Sequence, residues 1–423
     1  MRHTKIMFIA LLIVLLAVVG VARAQDAQTE ITYMMWGAPE ELAVWQVIVD
    51  DFQAANPNIK VSVDVSDWES YWNKLQTLFA GGTPPDVFAM DAPLYPDWQS
   101  RDVLLNLQPY LDAEPTLLDG FYPVTLQAYK REDGYYGLPR DFQTIVLFYN
   151  KDMFDAAGME YPTDDWTLDD LREAAKKLTL DTNGDGVTDQ FGFSSDYYDM
   201  ELFWSEAIWG YGGEIINPEY TQTLLAEGSA RDAWHYMADM MLTDKTVPDP
   251  DQVAQYGYDV FAAGAAAMTT IGHWVVPTYS QLPFKWDVSA FPAGPAGRAT
   301  SVNSAGFVVA KASQNADAAW QFIKFAIGDD GQKRLTELGF AIPVLQSVAE
   351  SPVYLEQTSA PINHKVFLDA LAYARPKPTF RGYEEWAGIV GDGLYNVWIG
   401  DTDIDSALDE LVPAADDVLA NNQ

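Results

Sequence analysis

The sequence has no cysteine and only four histidines. The absence of cysteine excludes disulfide bonds, thiolate metal sites, cysteine nucleophiles and a lipid anchor on an N-terminal cysteine. His235, His273 and His364 lie beyond the first apolar run, and none of them has the spacing of a zinc motif. Neither a G-x-S-x-G elbow nor a G-x-x-x-x-G-K-[ST] phosphate loop occurs. The sequence therefore does not support nucleophilic, zinc-dependent or nucleotide-dependent catalysis.

Basic residues are also scarce, with 25 Lys and Arg against 61 Asp and Glu and a formal net charge of −36. Such a surface repels phosphate backbones, which argues against nucleic acid as a partner. At 48% hydrophobic and 13% aromatic residues, the chain is too apolar to be disordered. The 14 Trp and 22 Tyr are a first indication of carbohydrate binding, because aromatic rings can stack on sugar faces. The alternative is that most of these rings form the core.

Only one long apolar run occurs, Ile6–Val21. Arg2 and Lys5 precede it, and the small-residue site Ala22–Ala24 follows it. The run is shorter than the roughly 20 residues that a membrane-spanning helix needs. The pattern predicts a secretory signal peptide over residues 1–24, with an uncleaved membrane anchor as the alternative. We therefore expect an exported protein, periplasmic or extracellular, that is soluble after cleavage.

Apolar periodicity predicts alternating strands and helices. Strands are predicted at Ile31–Trp36, Val61–Val65 and Asp86–Met90, each separated from the next by a helix, which is typical of a parallel βαβ sheet. The run Ile145–Tyr149 begins a second α/β unit, and from Pro361 onward the pattern is helical with no clear strand. No Gly/Ser-rich or Pro-rich linker separates the two units. This absence favours two lobes joined by several short crossings.

One loop has the spacing of a calcium site. Asp181, Asn183, Asp185 and Asp189 supply side-chain oxygens at positions 1, 3, 5 and 9, and Val187 supplies a carbonyl at position 7. Position 12 is a glycine where an EF-hand has its bidentate glutamate, so another ligand or water would have to complete the site. The alternative is an ordinary Asn-Gly/Asp-Gly turn. We expect a structural Ca²⁺ ion with no catalytic role.

Several segments together resemble the extracellular sugar-binding proteins of ABC importers, the family that includes maltose-binding protein. In chain order they are F-Q-A-A-N-P-N-I-K-V (52–61), L-F-A-G-G-T-P-P-D-V-F-A-M-D (78–91), Y-G-L-P-R-D (136–141), L-F-Y-N-K-D-M-F (147–154), the loop at 181–189 followed by Phe191-Gly192, W-G-Y-G-G (209–213), A-A-A-M-T-T-I-G-H-W (265–274) and N-S-A-G-F-V-V-A-K-A-S (303–313). The resemblance covers essentially the whole chain after the predicted signal.

The resemblance implies an α/β, two-lobe periplasmic-binding-protein (Venus-flytrap) fold with three hinge crossings. These would fall near residues 141–143, 303–306 and 341–345. Lobe 1 would comprise residues 25–141 and 303–343, and lobe 2 residues 142–302 and the helical segment 344–423. A saccharide would bind between the lobes, close them by hinge motion and be handed to the permease subunits by a monomeric receptor without enzymatic activity.

The resemblance also places candidate ligand contacts. They are Trp36, Gly37, Asp91, Arg140, Asp141, Gln143, Trp209, Gly212, Gly213, Trp274, Asn303, Arg381, Tyr383 and Trp386. Asp91 would accept sugar hydroxyls and Trp274 would stack under a ring. Each aromatic residue could instead belong to a lobe core, Asp91 could cap a helix and Arg140 could form a surface ion pair.

Two other functions are compatible with the sequence. The ligand could be a polyol, a glycerophosphodiester or a peptide instead of a sugar. The chain could also be a secreted carbohydrate-active enzyme, since a glycosidase needs only two suitably spaced carboxylates. The doubly wound α/β pattern disfavours the enzyme.

Overall fold

The structure, a computed structural model, describes residues 28–257 and 259–422. The predicted signal peptide lies outside the described residues. Within them, no helix combines the length and the apolar character that crossing a bilayer requires.

The strands, in chain order, are β1 (Thr29–Trp36), β2 (Ile59–Ser66), β3 (Val87–Asp91), β4 (Lys130–Arg131), β5 (Gly134–Tyr135), β6 (Leu138–Pro139), β7 (Gln143–Thr144), β8 (Val146–Asn150), β9 (Met268–Ile271), β10 (Trp286–Ser289), β11 (Thr300–Asn303), β12 (Ala305–Val309) and β13 (Ala374–Pro376).

The α-helices are α1 (Pro39–Ala55), α2 (Trp68–Ala80), α3 (Tyr95–Ser100), α4 (Gln108–Ala113), α5 (Pro123–Gln127), α6 (Lys151–Ala157), α7 (Leu168–Leu178), α8 (Ser205–Gly210), α9 (Gly228–Ala238), α10 (Pro250–Gln255), α11 (Val276–Tyr279), α12 (Ala316–Ile327), α13 (Asp329–Glu337), α14 (Gln346–Ala349), α15 (Pro352–Leu355), α16 (Lys365–Asp369), α17 (Tyr383–Trp398) and α18 (Ile404–Asn421). Single 3₁₀ turns occur at Ala92–Leu94, His273–Val275 and Ala370–Ala372, and π-helical turns at Met200–Trp204 and Asp239–Thr243.

The first lobe is built on a sheet of order β2-β1-β3-β12-β6. β1 runs parallel to both β2 and β3, as the βαβ pattern predicted, whereas β12 joins antiparallel. β3 is buried along its whole length because helices cover both faces of the sheet. Rings of Tyr33 and Phe322 meet on one face, and Phe88 and Trp98 meet on the other. The parallel strands bring the carboxyl ends of β1, β2 and β3 to one edge.

The second lobe contains two three-stranded sheets, β10-β8-β9 and β13-β11-β7. β8 pairs antiparallel with both of its neighbours, and β11 pairs parallel with β13 but antiparallel with β7. β13 contradicts the expectation that no strand follows Pro361. It is short and only partly buried, and it pairs with one edge of β11, so it lacks the apolar run or alternation that identifies a strand in a sequence.

Three segments carry the chain between the lobes. The first joins β6 to β7, and the second is the single residue between β11 and β12. In the segment 341–345, where the third crossing was predicted, Ile342 pairs with Phe142 and Leu345 pairs with Phe121. α14 and α15, which follow the predicted boundary at residue 343, pack against α13 of the first lobe. At Phe367 the chain has reached the second lobe, because the Phe367 carbonyl accepts a hydrogen bond from Thr144 Oγ1 in β7 at 2.9 Å.

Local signals explain where the helices begin. α1 starts with Pro39 at its first position, and its buried stripe includes Trp45, Ile48 and Phe52, as the apolar spacing predicted. α7 starts with the predicted capping box, in which Thr167 and Asp170 exchange side-chain and backbone hydrogen bonds.

Candidate functional site

Side chains from both lobes meet at the carboxyl edge of the first-lobe sheet. Asp91 ends β3, and Asn303 ends the hinge strand β11. The Asn303 side-chain amide donates to Asp91 Oδ1 at 2.8 Å. Open α/β sheets place ligands at this edge because the loops that follow the strands gather there. The structure thus brings together two of the residues predicted to bind ligand.

Two residues that sequence reasoning missed complete this group. Lys377 Nζ donates to Glu201 Oε2 at 2.8 Å, and Asn303 Nδ2 also lies 3.3 Å from that oxygen. Lys377 lies 5.7 Å from the ring centroid of the predicted residue Tyr383. We call Asp91, Glu201, Asn303, Lys377 and Tyr383 the cleft cluster. Apart from Asn303, which is half-buried, its members are at most 8% exposed.

Burial and the attraction between opposite charges together set the pKa values in the cleft cluster. Burial raises the pKa of Asp91, and it raises the pKa of Glu201 to about 7 although Lys377 opposes the shift. Burial opposes the charged form of Lys377, but the attraction of Glu201 and the nearby acidic groups outweighs it and raises the Lys377 pKa. Two carboxyl groups thus share one ammonium group. Such a cluster can accept hydroxyl protons and, through Lys377, donate to hydroxyl oxygens.

Neither missed residue has a recognisable signal in the sequence. Glu201 lies in the π-helical turn Met200–Trp204, where Asp199 accepts a hydrogen bond from the Glu201 amide at 2.8 Å. Such turns often occur at functional sites, but no periodicity predicts them. Lys377 stands between two prolines directly after β13, the strand that the sequence did not reveal.

Arg140 and Asp141 form a second buried group at the first crossing. Arg140 donates to Asp141 Oδ2 at 2.7 Å and to the Tyr33 hydroxyl at 3.0 Å, and its guanidinium lies 5.3 Å from the Trp45 ring and 5.8 Å from the Trp36 ring. Burial opposes the charge on Arg140, but Asp141 and Tyr33 hold its pKa above the ordinary value. The ion pair is buried and not at the surface. Its contacts position Trp36 at the end of β1.

Gln143 has an unusual environment at the same crossing. Its side chain is buried, and the amide oxygen has no hydrogen-bond partner among the described residues. A buried acceptor without a donor is costly, and a ligand hydroxyl or water would remove that cost. This position is consistent with the predicted role of Gln143, which stays a prediction.

Trp274 lies just before a helix that contacts the first lobe. It follows β9 in the turn His273–Val275, and the next helix, α11, packs against α1 of the first lobe. Its indole lies close to Gly272, where a Cβ would be only 1.9 Å from the Trp274 ring, so the glycine leaves room for the ring. The residue is half-buried, which leaves part of the ring accessible.

The remaining predicted contacts are not in the cleft cluster. The Arg375 guanidinium covers Trp209 at 4.7 Å from its ring. Gly212 has φ +84°, a conformation that favours glycine. A Cβ on Gly213 would lie 2.6 Å from the Ala230 amide nitrogen, so close packing against the start of α9 explains this glycine. Gly37, at the end of β1, likewise lies close to Glu41, whose carboxylate would be 3.1 Å from a Cβ.

The C-terminal candidates Arg381 and Trp386 differ in exposure. Arg381 is exposed. Trp386 is completely buried, and its indole N–H donates to Thr223 Oγ1 at 2.9 Å. In this structure Trp386 therefore belongs to the core of the second lobe and offers no face to a ligand.

The predicted calcium loop is exposed, and its acidic side chains bond to the loop itself. Asp181 accepts from the amides of Gly184 and Gly186 at 2.6 and 2.7 Å, and Asp189 accepts from the Thr182 amide at 2.8 Å. Over residues 28–257 and 259–422, no three His, Cys, Asp or Glu side chains are grouped as metal ligands. The oxygens are of the kind that calcium prefers, but this arrangement does not fit an ion without reorientation. The structural calcium ion therefore stays a prediction.

Calcium binding is open to a direct test. We expect millimolar CaCl₂ to raise the midpoint of thermal unfolding by about 2 °C, and EDTA to reverse the shift, because the ion would bind only the folded loop. Asp185→Ala should abolish the response, whereas the exposed Asp119→Asn should keep it. Equal midpoints in CaCl₂ and EDTA for the unsubstituted protein would contradict the prediction.

Comparisons with known proteins agree with the two-lobe architecture. A family model described as bacterial extracellular solute-binding protein matches residues 37–333. A solved ABC substrate-binding protein of Listeria monocytogenes in complex with cycloalternan superposes with a TM-score of 0.86 at 28% identity, covering 93% of this chain and 99% of that one.

Curated relatives cover most of the chain as well. A binding protein of Brucella abortus is 26% identical over 376 residues, 87% of this chain and 88% of the relative. The galactooligosaccharide-binding protein of Bacillus subtilis is 22% identical over 380 residues, 85% of this chain and 82% of the relative. The predicted two-lobe α/β fold is confirmed.

Proposed function

The chain belongs to the bacterial extracellular solute-binding protein family, and from this premise we propose that it is the receptor of an ABC-type importer for a mono- or oligosaccharide. The ligand would bind between the lobes, and the closed protein would deliver it to the permease subunits at the membrane. The observation that carries the proposal is the cleft cluster, in which Asp91, Asn303, Glu201 and Lys377 join the two lobes through buried hydrogen bonds.

The chemistry of the cleft cluster favours a neutral, hydroxyl-rich ligand. Its carboxyl and amide oxygens accept hydroxyl protons, and burial penalises any hydroxyl that finds no partner. An anionic ligand would need uncommitted cations, yet Lys377 is already paired with Glu201 and Arg140 with Asp141. The half-buried rings of Trp36 and Trp274 could supply stacking surfaces for sugar faces. The Listeria complex holds cycloalternan, a saccharide, in a protein of the same fold.

Contacts between the lobes indicate how closure would be coupled to binding. Asn303 reaches Asp91, and the Gly382 amide donates to Asp97 at 3.1 Å from the start of α17. A ligand that bridges the same groups would stabilise the closed arrangement over the open one. Only this closed form would dock on the permease, so transport would follow ligand capture.

A thermal-shift screen tests the proposed function. We expect at least one of maltotriose, galacto-oligosaccharides, arabino-oligosaccharides and cycloalternan to stabilise the protein, by about 2.7 kcal/mol at 100 times its dissociation constant. Asp91→Asn should weaken binding of that sugar roughly 10- to 100-fold, because it replaces a carboxylate acceptor with an amide. Asp119→Asn, an exposed change of the same kind, should not alter binding.

Two outcomes would overturn the proposal. Stabilisation by glycerophosphocholine, a polyol or a peptide, with none by any sugar, would assign a different solute. New reducing ends after incubation with the oligosaccharides would identify a carbohydrate-active enzyme.

A further inference from the structure

Trp68 is an exposed tryptophan beside the proposed binding cleft. It is the first residue of α2, directly after the capping residue Asp67, which accepts a hydrogen bond from the Ser70 amide at 3.0 Å. The side chain remains 47% exposed, although the neighbouring Tyr71 and Trp72 are buried. The capped helix start fixes the backbone of Trp68, so its position is set by the fold.

The sheet places Trp68 at the same edge as Asp91. β2 ends two residues before Trp68, and the Gly37 amide bonds to the Ser66 carbonyl at 3.0 Å, which joins the ends of β1 and β2. β1 lies between β2 and β3 in the sheet. Two strand spacings therefore separate the end of β2 from Asp91, about 10 Å. This distance is longer than a single pyranose ring.

Two neighbouring tryptophan rings contact the Trp68 indole in T-shaped arrangements. Its centroid lies 5.0 Å from that of Trp36 at an interplanar angle of 79°, and 5.4 Å from that of Trp72 at 78°. Such contacts restrict the orientation of an aromatic ring, and the exposure of Trp68 leaves part of its surface free to stack on another group. A ring that is already immobilised loses little conformational entropy when a ligand stacks on it.

A lone exposed tryptophan is ordinary on a protein surface. Trp68 differs because it contacts Trp36 at the carboxyl edge of the first-lobe sheet. In addition, the exposed carboxylates of Asp67 and Glu69 flank it and can accept hydrogen bonds from sugar hydroxyls. An aromatic face bordered by carboxylates is suited to a sugar ring, which presents C–H groups on its faces and hydroxyls around its rim.

We propose that Trp68 forms an outer subsite on which a further sugar ring stacks, so that the receptor binds oligosaccharides more tightly than monosaccharides. This inference rests on the proposed function and specifies its ligand class. The inner rings of the ligand would contact the cleft cluster, and the chain would extend along the carboxyl edge past Trp36 to Trp68.

Calorimetric titration with ligands of increasing length tests the subsite. The probes are glucose, maltose, maltotriose and maltotetraose, together with galacto- and arabino-oligosaccharides of the same lengths. We expect Trp68→Ala to weaken binding of the longer ligands about 3- to 10-fold while leaving the shortest bound ligand unchanged. Trp68→Phe should recover part of the loss, and Tyr395→Ala, which removes an exposed aromatic ring of the second-lobe helix α17, should have no effect.

The outcomes separate this inference from the proposed function. Equal losses for all ligand lengths, or no loss for any of them, would overturn the outer subsite while sugar binding itself stood. Failure of the unsubstituted protein to bind any of the probes would overturn both. Thermal midpoints of Trp68→Ala and Trp68→Phe, measured without ligand, identify any loss that comes from misfolding.

Discussion

Replacing Lys377 with methionine is expected to lower the free energy of unfolding by about 3–5 kcal/mol at pH 8. Lys377 is the basic member of the cleft cluster, and both it and Glu201 are at most 8% exposed. Methionine fills a similar volume but leaves Glu201 and Asp91 buried without a counter-charge. Unfolding by urea, followed by tryptophan fluorescence, measures the loss.

The pH dependence of this loss has a definite sign. Burial already raises the pKa of Glu201 to about 7, and without the ammonium group it should rise further. At pH 5 the carboxyl groups can take up protons, so Lys377→Met should cost less there than at pH 8. The double variant Lys377→Met/Glu201→Gln should recover much of the loss at pH 8, because it removes both charges.

An exposed ion pair provides the matched control. Lys74 and Asp64 lie 2.6 Å apart with both side chains 44% exposed, and Lys74→Met should change stability by no more than about 1 kcal/mol. If Lys377→Met lost no more stability than Lys74→Met, or lost an amount that does not depend on pH, the charges of the buried pair would contribute no more to stability than those of the exposed pair.

The first lobe was predictable because its signals are local. Buried parallel strands give apolar runs, the helices between them give 3.6-residue stripes, and Pro39 marks where α1 begins. The residues at the carboxyl ends, Asp91 and Trp36, could therefore be placed from the sequence. The resemblance to a known family assigned residues 303–343 to the first lobe, whereas the antiparallel pairing of β12 with β3 is seen only in the structure, because no local pattern specifies it.

Glu201 and Lys377 could not be predicted as members of the cleft cluster, because tertiary contacts bring them there. Glu201 depends on a π-helical turn, and Lys377 depends on the edge strand β13, whose three residues have no periodicity. Trp386 shows the opposite case. A tryptophan near the C-terminus resembled a ligand contact, but tertiary packing made it core. Composition cannot distinguish a buried ring from a cleft ring, and exposure of the side chain decides the question.

The protein should also lose stability as the pH rises from 5 to 8, in large part through Glu206. This residue on α8 is completely buried, and its Oε1 accepts hydrogen bonds from the Ser301 amide at 2.9 Å and from the Ser301 hydroxyl. Its Oε2 lies 3.0 Å from the Ser205 hydroxyl. The groups bonded to the carboxyl are neutral, so burial raises the pKa of Glu206 from 4.5 to about 8 despite these bonds.

The direction of the effect follows from proton linkage. Between pH 4.5 and 8 the unfolded chain releases the Glu206 proton, whereas the folded protein retains it, so each step upward in pH favours unfolding. Over the interval from pH 5 to 8 this group alone should remove about 3 kcal/mol of stability. Glu41 and Glu201, whose pKa values burial raises to about 7, act in the same direction.

Glu206→Gln isolates this contribution because glutamine has the shape of a protonated glutamate. Its amide oxygen can accept from Ser301, and its amide group can donate to the Ser205 hydroxyl, so the variant should match the unsubstituted protein at pH 5. At pH 8 it should be more stable by about 3 kcal/mol, since it has no proton to lose. Urea unfolding at pH 5, 6, 7 and 8 measures how the free energy of unfolding changes with pH in the variant and in the unsubstituted protein. The exposed Glu384→Gln is the control, which should show the same pH dependence as the unsubstituted protein. Parallel stability curves for Glu206→Gln and the unsubstituted protein would mean that the Glu206 carboxyl is ionised in the folded state, which would contradict the prediction.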